Sequence, residues 1–269
     1  MQHQSPGPIR VRVDPRSPGQ FFACCGLLEL ADRLWSGAEG WFEDTAFCLR
    51  VSPTPRAPDV TLASLLAAIA RAPLRAVDAV DETASPIQIE SPFDLRLDWW
   101  TDKRSGGDRL KVWAGRMSSV RIAAAMQRAV AGHTLHHEAV FDEGLVVFDP
   151  DDSTKKVEPF YFDARRGSNA RSLDIGFAPD ALGMTTVAYP AVELLCLIGI
   201  QRVRPAPTAA RRVFNYFTWG APLPPIASAC AACGALASGR DHAYRFEVGF
   251  RTDQRKHKAF MPATPIVRR

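Results

Sequence analysis

Ile9, Val11 and Val13 alternate with Arg10 and Arg12, the two-residue period of a strand with one buried face. Asp14-Pro15 ends that pattern, and Ser17-Pro18-Gly19-Gln20 supplies a helix start. Ser17 serves as cap, Pro18 suits the first turn, and Gln20 stands where the partner of a capping box would be. The stretch that follows, FFACCGLLELADRLW, is apolar nearly all round, with polar positions only at Glu29, Asp32 and Arg33. A helix of that kind is buried. Gly26 in its middle costs roughly 1 kcal/mol against alanine, which predicts close packing on another backbone. Tyr189 to Arg204 (YPAVELLCLIGIQRVR) repeats the pattern, with Pro190 at its start and Arg202 and Arg204 at its end, and predicts a second buried helix.

Between and after these helices the pattern changes repeatedly. Residues 41–51 read as a strand, and Leu62, Leu65, Leu66 and Ile69 make Thr61 to Arg71 a short amphipathic helix. Ile87, Ile89, Phe93, Leu95 and Leu97 carry an alternating segment into Trp99-Trp100. Over 116–130, Ile122, Met126 and Ala129 share one helical face while Arg121 and Arg128 project from the opposite one. Val140 to Phe148 reads as a hairpin turned at Asp142-Glu143-Gly144. Pro159 to Arg171 reads as a strand through Tyr161 and Phe162 running into an arginine-rich turn. Residues 211–219 suggest a strand, Ala227 to Ala237 a short helix, and Tyr244, Phe246, Val248 and Phe250 another strand before a basic tail, Arg251 to Arg269. This order predicts an α+β fold: a mixed or antiparallel sheet carrying two buried helices, with no helical bundle at the C-terminal end. The expected organisation is one domain over 1–269, with the neighbourhood of 150 as the place for any subdivision.

Composition narrows the class without naming a function. A chain of 269 residues with 46% hydrophobic and 23% charged residues has the make-up of an ordinary globular protein. No apolar run approaches the ~20 residues that span a bilayer, and the first ten residues lack the order of a signal peptide, so a cytoplasmic, membrane-free protein is expected. Cys24, Cys25 and Cys196 fall in apolar runs, and the CxxC of Cys230 and Cys233 has no second pair to complete a zinc site. The net charge of +4 is small but unevenly spread. Residues 78–98 are acidic, whereas 101–128, 155–171 and 251–269 are basic, a segregation that can focus a positive field on one face.

Candidate chemistry gathers in DWWTDKRSGGDRLKVWAGRMSSVRIAAAMQR, Asp98 to Arg128. Trp99, Trp100 and Trp113 surround a Gly-Gly loop, and Lys103, Arg104, Arg109, Lys111, Arg116, Arg121 and Arg128 outnumber Asp102 and Asp108. Rings interleaved with cations suit a polyanion whose bases stack and whose phosphates need counter-charge; a solvated basic surface beside core tryptophans is the alternative. Arg165, Arg166 and Arg171 around Gly167-Ser168-Asn169 form a second candidate phosphate turn. Nothing comparable marks catalysis. His136-His137-Glu138 lacks metal-site spacing, Asp149, Asp151 and Asp152 lack a calcium-loop pattern, and no phosphate-binding GxxxxGK[ST] or GxSxG occurs. His242 and His257 remain candidate general bases without identified partners. No enzyme activity, cofactor or metal is expected.

Four segments in order, DPRSPGQFFACCGLLELADRLW, LDWWTDK…KVWAGRMSSVRIAAAMQ, PFYFDARRGSNARSLDIGFAPDAL and YPAVELLCLIGIQRVRP, together resemble the compact large-subunit-type proteins of the Csb group in type I-U (I-G) CRISPR–Cas systems. The resemblance covers most of the chain. It implies a non-catalytic subunit of an RNA-guided DNA surveillance complex, placed near the 5′ end of the guide crRNA. Its implied partners are the guide, target double-stranded DNA beside the flanking motif (PAM), the backbone, 5′-end and small subunits, and a recruited helicase–nuclease. Large subunits usually end in a helical bundle; this chain departs from that, which implies a separate small subunit. On this reading the Lys103–Lys111 loop meets duplex phosphates or a groove, with Gly106 and Gly107 allowing close approach. Arg116, Arg121 and Arg128 track guide or DNA, and Arg165, Arg166 and Arg171 hold a second phosphate run. A repeat-RNA endonuclease and a general single-strand-binding module are the competing readings.

Overall fold

A computed structural model describes residues 8–52, 59–78, 80, 85–132, 138–165, 187–236, 240–251 and 257–267. Strand β1 (Ile9–Arg12) turns Val11 inward and its arginines outward, where Arg10 meets Glu43 at 2.6 Å and Arg12 meets Asp142 at 2.6 Å. Helix α1 (Pro18–Trp35) begins as expected, with the Ser17 hydroxyl facing the Gln20 amide. The Gln20 side chain does not complete a capping box, because its oxygen accepts from the Asp14 amide at 2.7 Å. The strand expected over 41–51 is two strands, β2 (Ala38–Glu43) and β3 (Ala46–Val51), reversed at Asp44 with φ 47°. An aspartate tolerates that left-handed turn, so no glycine or proline marks it. β1, β3 and β2 form one antiparallel sheet.

Helix α2 (Leu62–Arg71) is capped reciprocally by Thr61 and Ser64, and β4 (Leu74–Ala76), β5 (Ile87–Ile89) and β6 (Leu95–Leu97) make a second small antiparallel sheet. After α3 (Gly107–Leu110), helix α4 (Ser119–Gly132) buries Ile122 and Met126 and leaves Arg121 and Arg128 exposed, as its periodicity required. The Gln127 side chain ties it to the end of α2 through the carbonyls of Ile69 and Ala72.

Two expectations for the middle of the chain are corrected. Val140–Asp142 is a turn of 3-10 helix, not a strand, and the pairing falls further on: Phe148 bridges Lys156, and the Val157 amide bonds to the Val147 carbonyl. The turn lies at Asp149–Thr154, where the carboxylates of Asp149 and Asp152 accept from the amides of Asp151 and Thr154. Pro159 to Asp163 is not a strand either. It is buried irregular chain, with Tyr161 at φ 71°, whose amides at Phe162 and Asp163 are taken by the buried carboxylate of Glu193 at 3.2 and 3.0 Å.

Helix α5 (Pro190–Arg202) crosses α1 at two glycines. A Cβ on Gly26 would stand 2.1 Å from the Leu195 carbonyl oxygen, and one on Gly199 1.9 Å from that of Phe22. Both helices are therefore apolar all round for the same reason: each is covered by the other and by the sheets. Glu29 of α1, 3% exposed, accepts from Arg33 at 2.7 Å and from both Nε and Nη2 of Arg202 on α5. Burial acts to raise its pKa, but these hydrogen bonds outweigh it and hold the carboxyl below its ordinary value.

The last third supplies β7 (Ala206–Pro207), β8 (Val213–Trp219), helix α6 (Pro225–Ala232), β9 (Arg240–Phe250), β10 (Lys258–Phe260) and β11 (Thr264–Pro265). Within the expected basic tail the described residues hold two strands, both paired antiparallel with β9. The architecture is α+β with antiparallel sheets, and one apolar core runs from Val11 to Ala263. Phe21 stacks on Phe42 at 5.3 Å and lies 4.4 Å from Tyr216, so α1, β2 and β8 meet ring to ring.

Candidate nucleic-acid interface

The stretch after β6 is built on its tryptophans. Trp99 is fully buried, Trp100 and Trp113 are each 4% exposed, and the three rings pack edge to face at 5.2–5.7 Å. The Trp99 indole N–H donates to the Leu197 carbonyl at 3.0 Å, and the Gln201 side chain takes the amides of Asp98 and Trp99. This overturns the stacking role for Trp99 and Trp100. Neither ring has a free face for a base; Trp99 anchors the loop to α5, and Trp100 packs edge to face on Trp99 and Trp113.

The loop itself is folded on its own backbone. Asp102 accepts from the amides of Arg104 and Ser105 and from the Ser105 hydroxyl, which keeps its carboxyl below the ordinary range, and the Gly107 amide returns to the Asp102 carbonyl at 2.7 Å. Gly106 is needed for its left-handed φ of 78°, and a Cβ on Gly107 would fall 1.7 Å from the Trp99 carbonyl oxygen. Both glycines are buried, so they serve this internal turn and not the close approach of DNA. What the turn presents outward is Lys103, Arg104 and Arg109, all exposed. Lys111 lies partly covered, its ammonium 5.2 Å from the centre of the Trp113 ring.

The other expected contacts do not join this group equally. Arg116 and Arg121 are exposed at and near the start of α4. Arg128 lies seven residues beyond Arg121, roughly 10 Å along the axis, and donates to the Pro150 carbonyl at 2.6 Å. Arg165 is corrected from a phosphate ligand to a structural residue. It forms ion pairs with Asp163 at 2.8 Å and Asp142 at 2.9 Å, donates to the Phe141 carbonyl, and covers the Tyr189 ring at 3.6 Å. Four of its five N–H donors are occupied. Arg166 and Arg171 lie outside the described residues.

Folding adds cations that no single stretch of sequence revealed. Arg204, at the end of α5, is partly buried 6.0 Å from the Trp99 ring, near Asp98 and Asp102, and has one guanidinium nitrogen without a hydrogen bond among the described residues. Burial holds its pKa below the ordinary arginine value. Lys258 opens β10 against the loop, its amide 3.3 Å from the Val112 carbonyl, in electrostatic reach of Arg212, Lys111, Arg211 and Asp108. Three basic segments therefore converge: 103–111, 204–212 and the start of β10. The Arg211-Arg212 doublet was the sequence signal for the second, but nothing local tied it to the first.

The histidines separate. His242 lines an open cleft of about 520 Å³ with Glu43, Asp44, Thr218 and Asp241. His257 follows the other end of β9, its carbonyl bonded to the Arg251 amide, roughly 30 Å away along the strand. They cannot form one acid–base pair. His136 and His137 lie outside the described residues, among which no group of three or more His, Cys, Asp or Glu side chains is placed to hold a metal. No described helix is long and apolar enough to cross a membrane. A scan against family models and searches of curated proteins and of solved structures return no match to this chain.

Proposed function

We propose that this protein is a non-catalytic subunit of a type I CRISPR RNA-guided DNA surveillance complex, of the I-U/I-G kind that its sequence resembles. In this role it binds the guide near its 5′ end and target duplex beside the flanking motif, and helps recruit the helicase–nuclease. The observation that carries the reading is the fixed basic turn: Lys103, Arg104 and Arg109 project from a loop whose aromatic base is locked to a buried helix. A contact that must find a short DNA motif gains from side chains held on a rigid mount, because less order is lost on binding. Phosphate contacts of this type position the duplex, while guide pairing reads most of the sequence. The exposed Arg116 and Arg121 at the start of α4 add to the positive surface; the assignment rests on the turn.

Co-expression with a guide and the neighbouring subunits tests the assignment. The chain is expected to co-purify with crRNA and partner proteins, and the assembled complex to bind guide-matched duplex. Failure of the chain to enter any such complex, or cleavage of repeat RNA by the purified chain that is lost on His242→Ala, would reject it.

A further inference from the structure

We propose that Arg212, Lys258 and Lys111, with Arg211 at the rim, form a discrete seat for a backbone phosphate of bound nucleic acid. The inference rests on the nucleic-acid reading above and assigns Arg211, Arg212 and Lys258, which the basic turn does not include. Lys258 and Phe250 are direct partners across β10 and β9, which places their side chains on one face of the sheet about 5 Å apart. The Arg212 guanidinium carbon lies 4.4 Å from the centre of that same Phe250 ring. The Lys258 amide bonds to Val112, which brings Lys111 alongside. Cations from three distant segments thus share one small area.

Arg211, Arg212 and Lys258 stand apart in their ion pairing. Arg10, Arg12, Arg50, Arg75 and Arg96 each have a carboxylate within 3.2 Å. Among the described residues Arg211, Arg212 and Lys258 form no ion pair, and the Arg212 Nε is buried without a hydrogen-bond partner. Arg212 also holds a left-handed φ of 61° in the turn between β7 and β8, where the Val213 amide returns to the Ala210 carbonyl at 3.3 Å, a conformation disfavoured for a residue with a side chain. Burial lowers the Lys258 pKa, as do Arg212, Lys111 and Arg211, and Asp108 offsets them only in part. Like charges collected on a strained backbone destabilise the free protein, and an anion would relieve that repulsion. The seat adjoins the turn through Lys111 and Asp108. A ligand with regularly repeated charges can occupy both, whereas a lone carboxylate satisfies one.

The test uses the full chain, a labelled DNA duplex about two helical turns long, and inorganic pyrophosphate as the small-anion probe. Duplex affinity is measured by anisotropy across a salt series. Lys258→Gln and Arg212→Gln are each expected to reduce the slope of log affinity against log salt by about 0.9, and Lys258→Arg to retain it. The melting temperature of Lys258→Gln is expected to hold or rise. Because Lys258→Gln leaves the left-handed backbone of Arg212 untouched, it carries the test if the Arg212 variant fails to fold. An unchanged slope in both variants overturns the seat. Pyrophosphate binding that both variants lose, with duplex slope intact, also overturns it, in favour of a small-anion site. A reduced slope in a chain that never co-purifies with guide RNA would leave the seat standing and reject the complex assignment; normal assembly with an unchanged slope does the reverse.

Discussion

Two arginine-bearing turns of this protein have similar sequences and opposite surroundings. Pro159 to Arg165 places aromatic residues before an arginine, and so does Trp99 to Arg104. In the first, Arg165 meets two carboxylates, a carbonyl and a tyrosine ring, and Asp163 beside it is almost wholly enclosed. In the second, Lys103 and Arg104 face outward from a turn that Asp102 has already closed with backbone amides. A cation with its donors taken contributes to folding; one left in water above a rigid base is available to a partner. Order of residue types does not separate these cases. The position of the nearest carboxylate does.

The largest effect expected from that contrast is on binding. Changing Lys103, Arg104 and Lys111 together to glutamate should weaken duplex binding by the assembled complex about a hundredfold or more, ~3 kcal/mol, with assembly intact. Anisotropy at matched salt checks this, and undiminished affinity would remove the turn from the interface. Next is Arg165→Ala, expected to cost about 2 kcal/mol of stability in urea titration because it strands the enclosed Asp163 carboxylate. The partial exposure of Arg165 keeps this below the cost of breaking a wholly buried pair. Its salt slope for binding should not change; a reduced slope would return Arg165 to the interface.

The third prediction concerns pH. Glu193 holds the first turn by accepting the Phe162 and Asp163 amides, and its burial pushes the pKa up from 4.5 to about 8. A folded-state value above the unfolded one means the native protein binds the extra proton. This group's stabilisation is therefore complete below about 4.5 and is lost as pH rises through about 8. Unfolding free energy should fall across that window by at most about 1.4 kcal/mol per pH unit, and Glu193→Gln should flatten the slope. An identical pH profile in the variant would refute the linkage. The smallest effect belongs to Arg104→Ala, expected to change stability by no more than about 0.5 kcal/mol, as suits an exposed side chain away from any cap or core.

The helices and outer strands were readable because each carries its environment in its period. The all-apolar runs of α1 and α5 announced burial, and Gly26 announced a close neighbour without saying that Gly199 would be the one. Asp44 turns a hairpin that its sequence does not signal, and the second turn falls at Asp149–Thr154 although the glycine of Asp142-Glu143-Gly144 is the stronger local cue. Pro159 to Asp163 has strand-like residues, yet its amides meet a side chain from α5 instead of a neighbouring strand, a partner that periodicity cannot reveal. The candidate site divided in the same way. Its exposed cations were visible in sequence, but the enclosure of Trp99 and Trp100, and the meeting of Lys111 with Lys258 and Arg212, depend on contacts between distant segments.

The indole triad under the turn also has an optical consequence. Trp99, Trp100 and Trp113 lie nearly perpendicular to one another at 5.2–5.7 Å, close enough for their excited states to couple. Their circular dichroism should carry an exciton couplet that depends on all three orientations at once. Since Trp99 is bonded to α5 and Trp113 lies under Lys111, any ligand that shifts the turn relative to the core would alter that couplet without an added label.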